Sequence, residues 1–274
     1  MMVEVLVHFV APALVGVLIG IASGLLGIGG GTVMVPIFRL AFGMSATMST
    51  ATSLFAIIPT SISGAISHVK GKTCIPALGI AAGLGGACLS PVGVWLAQLS
   101  PDWLVMLAAA LIIGYSAINM FKKAFKLRPA GQPAAGVDAA APTADDSSLS
   151  RKQLLQGAAI GLVAGLASGY VGVGGGFIMV PLMLSIIGIP MRKASGTSLI
   201  AVMILAIPGV IEQGIIGNIN YLAGIAIVIG TIPGAVIGAR LVTKVPERTL
   251  RLLFGCFLIV AAVMLVLNEV GIFG

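Results

Sequence analysis

A glycine-rich motif occurs twice in this 274-residue chain, at equivalent places in two similar halves. Residues 23–31 read SGLLGIGGG and residues 168–176 read SGYVGVGGG, 145 positions further on. The same offset relates the two Met-Val-Pro sequences that end at Pro36 and Pro181. Self-similarity at a fixed offset is the signature of a repeated structural unit. The chain is therefore predicted to fold as two copies of one unit.

The composition of both copies indicates a membrane protein. Hydrophobic residues make up 58% of the chain and charged residues 8%, whereas a soluble domain carries about 25% charged residues. The apolar runs lack the alternation of outer-membrane barrel strands. They suit helices instead, which need about 20 apolar residues to span a bilayer. The sequence thus predicts an all-α polytopic membrane protein with the lipid bilayer as its surroundings.

The net charge of +7 arises from 15 Lys and Arg residues that are dispersed over the ends of apolar runs. We interpret them as topology signals and expect no nucleic acid partner. Cys74, Cys88 and Cys256 lie inside apolar runs without CxxC spacing, so we expect no metal site and no cofactor. The sequence leaves the oligomeric state open.

The duplication divides the chain into a first transmembrane repeat (1–126), a linker (127–151) and a second repeat (152–274). The linker is rich in Ala, Pro, Ser and Asp and is expected to be disordered, because it cannot bury enough apolar area to fold. Each repeat is predicted to contain a first element broken by glycines and three long transmembrane helices. The predicted segments are Val5–Ala22, Thr32–Phe42, Thr47–Ser67, Ile75–Leu99 and Trp103–Phe121 in the first repeat, and Leu154–Ala167, Phe177–Ile187, Ala194–Ile216, Tyr221–Val242 and Leu250–Leu267 in the second.

The positive-inside rule predicts the orientation of the chain. The linker is expected in the cytoplasm because basic residues flank it, namely Lys122, Lys123, Lys126, Arg128, Arg151 and Lys152. If each broken element were one kinked crossing, two further basic groups would face outward: Arg192 with Lys193, and Lys244 with Arg248 and Arg251. If each broken element enters and returns, as a re-entrant hairpin or as paired short helices, both groups fall inside and both termini fall outside.

An element that enters and returns makes the second repeat upside down relative to the first. Inverted repeats are typical of secondary transporters, whose substrate site lies near the midplane between the halves. Three consecutive glycines disfavour helix and permit positive φ, and a nearby proline also disfavours a continuous helix. We expect an unwound turn followed by the N-terminus of a short helix, where unpaired N–H groups and the helix dipole attract an anion.

The two breaks are therefore predicted to converge on one small anion. The predicted substrate-binding glycines are Gly29, Gly30, Gly31, Gly174, Gly175 and Gly176, and the predicted helix-breaking residues are Gly27, Pro36, Gly172 and Pro181. Hydroxyl residues begin the next helix of each repeat, and they are interpreted either as helix caps or as substrate contacts. These candidates are Thr52, Ser53, Thr197 and Ser198.

Glu212 and His68 are the ionisable residues furthest from any loop, and ionisable groups inside a membrane are functional candidates. Either residue could carry a coupling proton or bind a coupling ion. The alternative is that both lie in water near helix ends. An intramembrane hydrolase is disfavoured because no core segment contains an Asp, and Ser63-Gly64 near His68 is too weak a pairing to indicate a protease. An anion channel that uses the glycine loops as a filter stays open as an alternative.

The paired sequences SGLLGIGGGTVMVP and SGYVGVGGGFIMVP resemble the motifs of the sulfite exporter TauE/SafE family, also named the toluene sulfonate uptake permease family. The resemblance covers both repeats and implies a bacterial or archaeal inner-membrane carrier of sulfite, of an organosulfonate such as sulfoacetate, or of a related anion. It implies site residues at Gly27, Gly29–Gly31 and Pro36, and at Gly172, Gly174–Gly176 and Pro181. Coupling to an ion gradient and export are expectations, and a non-sulfur organic anion is an alternative substrate.

Overall fold

The computed structural model describes residues 11–126 and 150–269, and the regular elements in this part of the chain are helices. They are α1 (Ala11–Leu26), α2 (Gly31–Phe42), α3 (Ala46–Lys70), α4 (Pro76–Leu99), α5 (Asp102–Lys126), α6 (Arg151–Val171), α7 (Gly176–Leu182, continued by a π-helical turn Met183–Ile187), α8 (Met191–Ile216), α9 (Tyr221–Leu241) and α10 (Glu247–Glu269). The linker up to residue 149 and both chain ends, whose structure and location the sequence predicted, lie outside the described residues.

Seven helices in the described ranges are long and apolar enough to cross a membrane: α3, α4, α5, α6, α8, α9 and α10. Shorter apolar helices are formed by α1, α2 and the α7 segment. The chain is a polytopic α-helical membrane protein, as the sequence predicted. Each repeat has two helices around a glycine break, followed by three long helices. The helices around the break are short except α6 in the second repeat, which is long enough to cross a membrane.

The two repeats interlock instead of forming separate bodies. Helix α1 of the first repeat packs along α9 of the second, and α6 of the second repeat packs along α4 of the first. Helices α3 and α8 pack against each other, as do α5 and α10. Each of these contacts joins an element of one repeat to an element of the other, so the core is shared between them.

Contacts between residues on neighbouring helices show the relative directions of six of the described helices. Helices α1, α3 and α9 are parallel, and α4, α6 and α8 are parallel. The contacting pairs are Gly16 with Gly230, Gly24 with Ala235, Thr52 with Asn220 and Thr60 with Thr231 for the first group, and Gly157 with Leu78, Gly169 with Ser90, Gly79 with Thr197 and Gly86 with Leu205 for the second. Helices α3 and α8 are antiparallel, since Gly196 lies against His68 and Gly209 against Leu54.

The repeats are therefore inverted relative to each other, because α1 and α3 run opposite to their counterparts α6 and α8. The parallel arrangement of α1 and α3 also means that α2 returns towards the side where α1 begins. This geometry agrees with a broken element that enters and returns, and it is incompatible with one kinked crossing. The predicted architecture of two inverted repeats is confirmed.

Basic residues gather at the end of the bundle where α3 ends and α8 begins. Lys70 is the last residue of α3 and Lys72 follows it. Arg192 in the first turn of α8 donates a hydrogen bond from Nη2 to the carbonyl oxygen of Val245 over 2.9 Å. Arg240 lines a cavity with Lys70. Asp102 lies at the opposite end, where its Oδ2 accepts a hydrogen bond from the N–H group of Ala46 at the start of α3, over 3.3 Å.

Rows of glycines along the faces where two helices meet, here called glycine stripes, bring the paired helices into backbone contact. A Cβ atom on Gly161 of α6 would collide with the carbonyl oxygen of Ala82 on α4, and one on Gly230 of α9 would collide with the carbonyl oxygen of Ala13 on α1. Small residues at such interfaces are typical of membrane helices, because they permit close approach of two backbones. These stripes hold together the two pairs of helices that join the repeats.

The prediction that Pro36 and Pro181 break a helix is wrong. Pro36 lies inside α2 and Pro181 lies inside α7. Proline fixes φ near a helical value and removes one N–H donor, and in a membrane bundle neighbouring side chains compensate for the missing bond. The breaks are made by the glycines alone.

Candidate functional site

The chain is unwound between α1 and α2 and again between α6 and α7. Three glycines in each break have positive φ, between 65° and 88°: Gly27, Gly29 and Gly30 in the first, and Gly172, Gly174 and Gly175 in the second. Side chains rarely adopt this left-handed conformation, whereas glycine adopts it without strain. The repeated glycines therefore form two loops of matching conformation.

The two glycine loops are in direct contact with each other. A Cβ atom on Gly31 would lie 2.5 Å from the carbonyl oxygen of Val173. The equivalent atom on Gly176 would lie 2.9 Å from Cα of Ile28, and it would collide with the carbonyl oxygen of Gly27. Since Gly176 is the counterpart of Gly31, the loops meet in a nearly symmetric arrangement that has no room for side chains.

The loops meet halfway along the two long central helices. A Cβ atom on Gly29 would lie 2.9 Å from Cγ1 of Val202 in the middle of α8 and 3.3 Å from Cγ2 of Ile57 in the middle of α3. One on Gly174 would lie 2.8 Å from Cδ1 of Ile57. All of these residues are buried. The breaks are therefore buried in the middle of the bundle.

Backbone amides at the breaks have unused donor capacity. Gly27 N–H donates to the carbonyl oxygen of Ser23 over 2.8 Å, which completes the last turn of α1. Within the described part of the chain, the N–H groups of Gly29 and Gly30, and likewise those of Gly174 and Gly175, donate no hydrogen bond. Buried amides without a partner are costly, so these positions are suited to accept a ligand that supplies oxygen atoms.

Buried hydroxyl groups surround the first break. Ser23, Thr32 and Ser61 are fully buried, and their hydroxyl oxygens have no hydrogen-bond partner among the described residues. Ser61 Oγ lies 3.5 Å, and Ser23 Cβ 3.7 Å, from the positions that Cβ atoms on Gly29 and Gly30 would occupy. The sequence analysis missed these three residues. A signal existed for Ser23, which opens the first copy of the motif as Ser168 opens the second.

The hydroxyl residues that the sequence singled out divide into two groups. Thr52 Oγ1 accepts a hydrogen bond from Asn220 N–H over 3.0 Å, and Thr197 Oγ1 accepts one from Ile75 N–H over 2.9 Å. Asn220 and Ile75 are the N-cap residues of α9 and α4. Neither threonine caps its own helix, since the N-cap residues of α3 and α8 are Ser45 and Pro190. Each instead holds the start of a helix of the other repeat, and a substrate contact by either threonine stays a prediction.

The serine that follows each threonine faces the interior. Ser198 Oγ donates to the carbonyl oxygen of Gly27 over 2.7 Å and lies 2.8 Å from the carbonyl oxygen of Ser195. Its counterpart Ser53 is fully buried, and its hydroxyl has no partner in the described ranges. Ser198 therefore contacts the first break directly, whereas Ser53 keeps a free hydroxyl.

His68 and Glu212 lie at opposite ends of the bundle. His68 is buried near the end of α3, where Nε2 lies 2.8 Å from the carbonyl oxygen of Gly24 and Nδ1 lies 2.7 Å from Thr73 Oγ1. Glu212 lies near the end of α8, about 24 Å along that helix from Gly196, which contacts His68. Its Oε2 is buried and has no partner among the described residues. The structure does not bring these two residues together, and their coupling role stays a prediction.

The sequence of the chain was also compared with those of known protein families. The family model for the sulfite exporter TauE/SafE matches residues 12–265. The chain belongs to the TauE/SafE family. Similar TauE/SafE relatives include the probable membrane transporter protein YunE of Bacillus subtilis, which is 28% identical over 97% of this chain and 99% of its own length.

Further TauE/SafE relatives cover most of the chain in the same way. The probable membrane transporter protein YdhB of Bacillus subtilis is 28% identical over 87% of this chain and 92% of its own length. A probable membrane transporter protein of Haemophilus influenzae is 29% identical over 93% of this chain and 97% of its own length. No solved structure matches this TauE/SafE chain.

Proposed function

We propose that this TauE/SafE protein is a secondary transporter that moves a small sulfur-containing anion across the inner membrane by alternating access. The substrate class is sulfite or an organosulfonate such as sulfoacetate, and the direction is export. The observation that carries the proposal is the contact between the two glycine loops midway along α3 and α8, where Gly29, Gly30, Gly174 and Gly175 have unpaired amides. Inverted repeats with broken helices at the midplane suit this mode of transport.

Alternating access is favoured over a channel by the closed environment of the loops. The loops are buried between Ile57 and Val202, whereas a channel needs a continuous wet pore. In a carrier, this closed arrangement corresponds to an occluded state, which opens to one side at a time. The anion would replace the missing partners of the glycine amides, and the α2 dipole would favour its negative charge.

We further propose that transport is coupled to a proton gradient through Glu212. Its Oε2 atom is buried and has no partner in the described part of the chain. Both ring nitrogens of His68, in contrast, already have neighbours within hydrogen-bond distance. A carboxylate without partners is better placed to gain and lose a proton during the cycle, because no existing hydrogen bond has to break.

Orientation follows from the cluster of basic residues at one end of the bundle. Lys70, Lys72, Arg192 and Arg240 lie at that end, and the positive-inside rule assigns such an end to the cytoplasm. Helix α5 ends and α6 begins at the same end. We accordingly propose a cytoplasmic linker and both termini on the outer side of the inner membrane.

Proteoliposomes provide the test. The purified protein is reconstituted, and uptake of sulfite, sulfoacetate, taurine and sulfate is measured with and without a pH gradient. We expect saturable uptake and counterflow for sulfite or a sulfonate, and no uptake by the Gly30→Val and Gly175→Val variants, provided that both elute as folded protein. Flux that neither saturates nor shows counterflow would instead indicate a channel. Uptake restricted to carboxylates would indicate a carrier of non-sulfur anions.

A further inference from the structure

The geometry points to the break of the first repeat as the place where the anion is held, with Ser23, Thr32 and Ser61 as the side chains that determine its affinity. This inference rests on the proposed function and deepens it. The two breaks have similar backbones, so a transporter of this kind could share its substrate equally between them. The side chains around the two breaks, however, differ in their hydrogen-bonding capacity.

Unpartnered hydroxyls are concentrated in the first repeat. The described part of the chain contains seven buried hydroxyl groups without a hydrogen-bond partner, and six of them belong to residues of the first repeat. The six are Ser23, Thr32, Ser49, Ser53, Ser61 and Ser90, and the seventh is Ser168. A buried hydroxyl without a partner carries an uncompensated desolvation cost, so the excess in the first repeat needs an explanation.

Three of these hydroxyls belong to residues around the first break. Ser61 lies beside Gly29, Ser23 lies beside Gly30, and Thr32 is in the first turn of α2. Together with the free amides of the two glycines, they provide five neutral donors from α1, the loop, α2 and α3. Helix α2 has 12 residues, so its dipole also favours an anion at this end.

The second break lacks most of these donors. The counterparts of Thr32 and Ser61 are Phe177 and Ala206, which have no hydroxyl. A Cβ atom on Gly175 would lie 3.1 Å from the carbonyl oxygen of Ala164 and 3.3 Å from Cδ2 of Leu205, and its three nearest neighbours include no serine or threonine. Only Ser168 has the same residue type as its counterpart. Of the three hydroxyl groups at the first break, only that of Ser23 has a counterpart at the second break.

The donors are neutral, and this bears on release of the anion. Within residues 12–125 and 150–267, His68 is the one fully buried ionisable residue, and its ring nitrogens lie beside Gly24 and Thr73. No buried Lys or Arg of the described chain therefore holds the anion. Hydrogen bonds from several neutral groups stabilise an anion without the strong attraction of a fixed cation, which a carrier must overcome at each release.

Alanine variants at equivalent positions test the asymmetry. The half-saturation concentration for sulfite uptake and the thermal shift caused by sulfite are measured for Ser23→Ala, Ser61→Ala and Ser168→Ala. Removal of one hydroxyl that donates to an anion is expected to weaken binding about tenfold. We expect this loss for Ser23→Ala and Ser61→Ala, and less than about a twofold change for Ser168→Ala. Ala206→Ser is not expected to restore affinity in the Ser61→Ala background.

Stability of the free protein separates binding from structure. Since Ser23 and Ser61 have no partner, their alanine variants should unfold at the wild-type temperature or above it when sulfite is absent, even though affinity falls. Equal loss of affinity in Ser23→Ala and Ser168→Ala would overturn the asymmetry while the proposed transporter stands. Unchanged affinity in both first-repeat variants would also overturn it. Failure of the wild-type protein to bind or move any anion of the panel would refute the proposed function itself.

Discussion

Ser198 of α8 donates a hydrogen bond to the carbonyl oxygen of Gly27 over 2.7 Å and thereby ties the break of the first repeat to a central helix of the second. The carbonyl of Gly27 belongs to the unwound stretch that directly follows α1. Because this bond joins the two elements directly, a movement of α8 would be transmitted to the first loop.

Loss of this hydrogen bond should destabilise the protein. In Ser198→Ala, the buried carbonyl of Gly27 loses its partner, and we expect a cost of about 1–3 kcal/mol in the free energy of unfolding. Ser53→Ala is the matched control, since this counterpart has no partner to lose among the described residues. Thermal unfolding in detergent measures both. A control that is destabilised as strongly as Ser198→Ala would contradict the role of the bond.

Substitution of glycine inside a break should abolish transport. In Gly29→Ala, the new Cβ lies 2.9 Å from Cγ1 of Val202 and the backbone has φ of 82°. Gly43→Ala is the control, because φ is 62° there but nothing lies within 4 Å of the new atom. It should cost roughly 1–2 kcal/mol and keep uptake near the wild-type rate. Uptake by both variants is measured in proteoliposomes. Equal uptake by Gly29→Ala and Gly43→Ala would contradict the assignment of the glycine break as the substrate site.

The glycine stripes should be essential for assembly of the bundle. A Leu side chain at Gly161 must displace the backbone of Ala82 on α4, which we expect to cost about 3 kcal/mol or more. Gly114→Leu on α5 is the comparison, since no atom lies within 4 Å of its Cβ position. The fraction of each variant that elutes as monodisperse protein measures the effect. Similar yields for the two would show that the α4–α6 contact is dispensable.

A glutamine at Glu212 should uncouple transport from the proton gradient. Glu212→Gln keeps the shape of the side chain but cannot exchange a proton, so counterflow should persist while acceleration by a pH gradient disappears. The control replaces His68 by Gln together with Thr73→Asn. This double variant copies the second-repeat pair in which Asn218 Nδ2 donates to Gln213 Oε1 over 2.8 Å. If gradient dependence survives in Glu212→Gln and is lost in the control, coupling belongs to His68.

Cysteine labelling should locate the basic end in the cytoplasm. In a background whose three native cysteines are replaced by serine, single cysteines are introduced at Lys72 or Lys244 and, at the opposite end, at Ser45 or Pro101. A maleimide reagent that cannot cross the membrane should label Ser45→Cys and Pro101→Cys in intact cells. Lys72→Cys and Lys244→Cys should react only after the membrane is opened. The reverse pattern would overturn the orientation.

The repeat arrangement followed from sequence because each signal acts locally. Hydropathy indicates which segments enter the bilayer, and basic residues such as Arg192 and Lys193 predict which end stays inside. A run such as Gly29-Gly30-Gly31 favours an unwound turn wherever it occurs, since positive φ is a property of a single residue. These independent signals were sufficient to predict inverted repeats with a break in each.

The pairing of side chains, in contrast, depended on residues that are distant in the chain. Thr52 and Thr197 looked equally suited to capping their own helices and to substrate contact, whereas in the structure they accept hydrogen bonds from Asn220 and Ile75, which are 168 and 122 residues away. Pro36 looked like a helix breaker, but α2 continues through it within the packed bundle. Local sequence cannot show which partner reaches a given oxygen.

The difference between the two breaks has the same origin. Ser23, Thr32 and Ser61 come from three separate helices, and only their packing against one loop reveals that their hydroxyls have no partner there. Ser198 and Ser53 occupy equivalent positions, yet one is bonded and the other free. Backbone breaks are encoded by residue type, whereas a binding site is defined by which donors stay unpaired after distant helices have packed together.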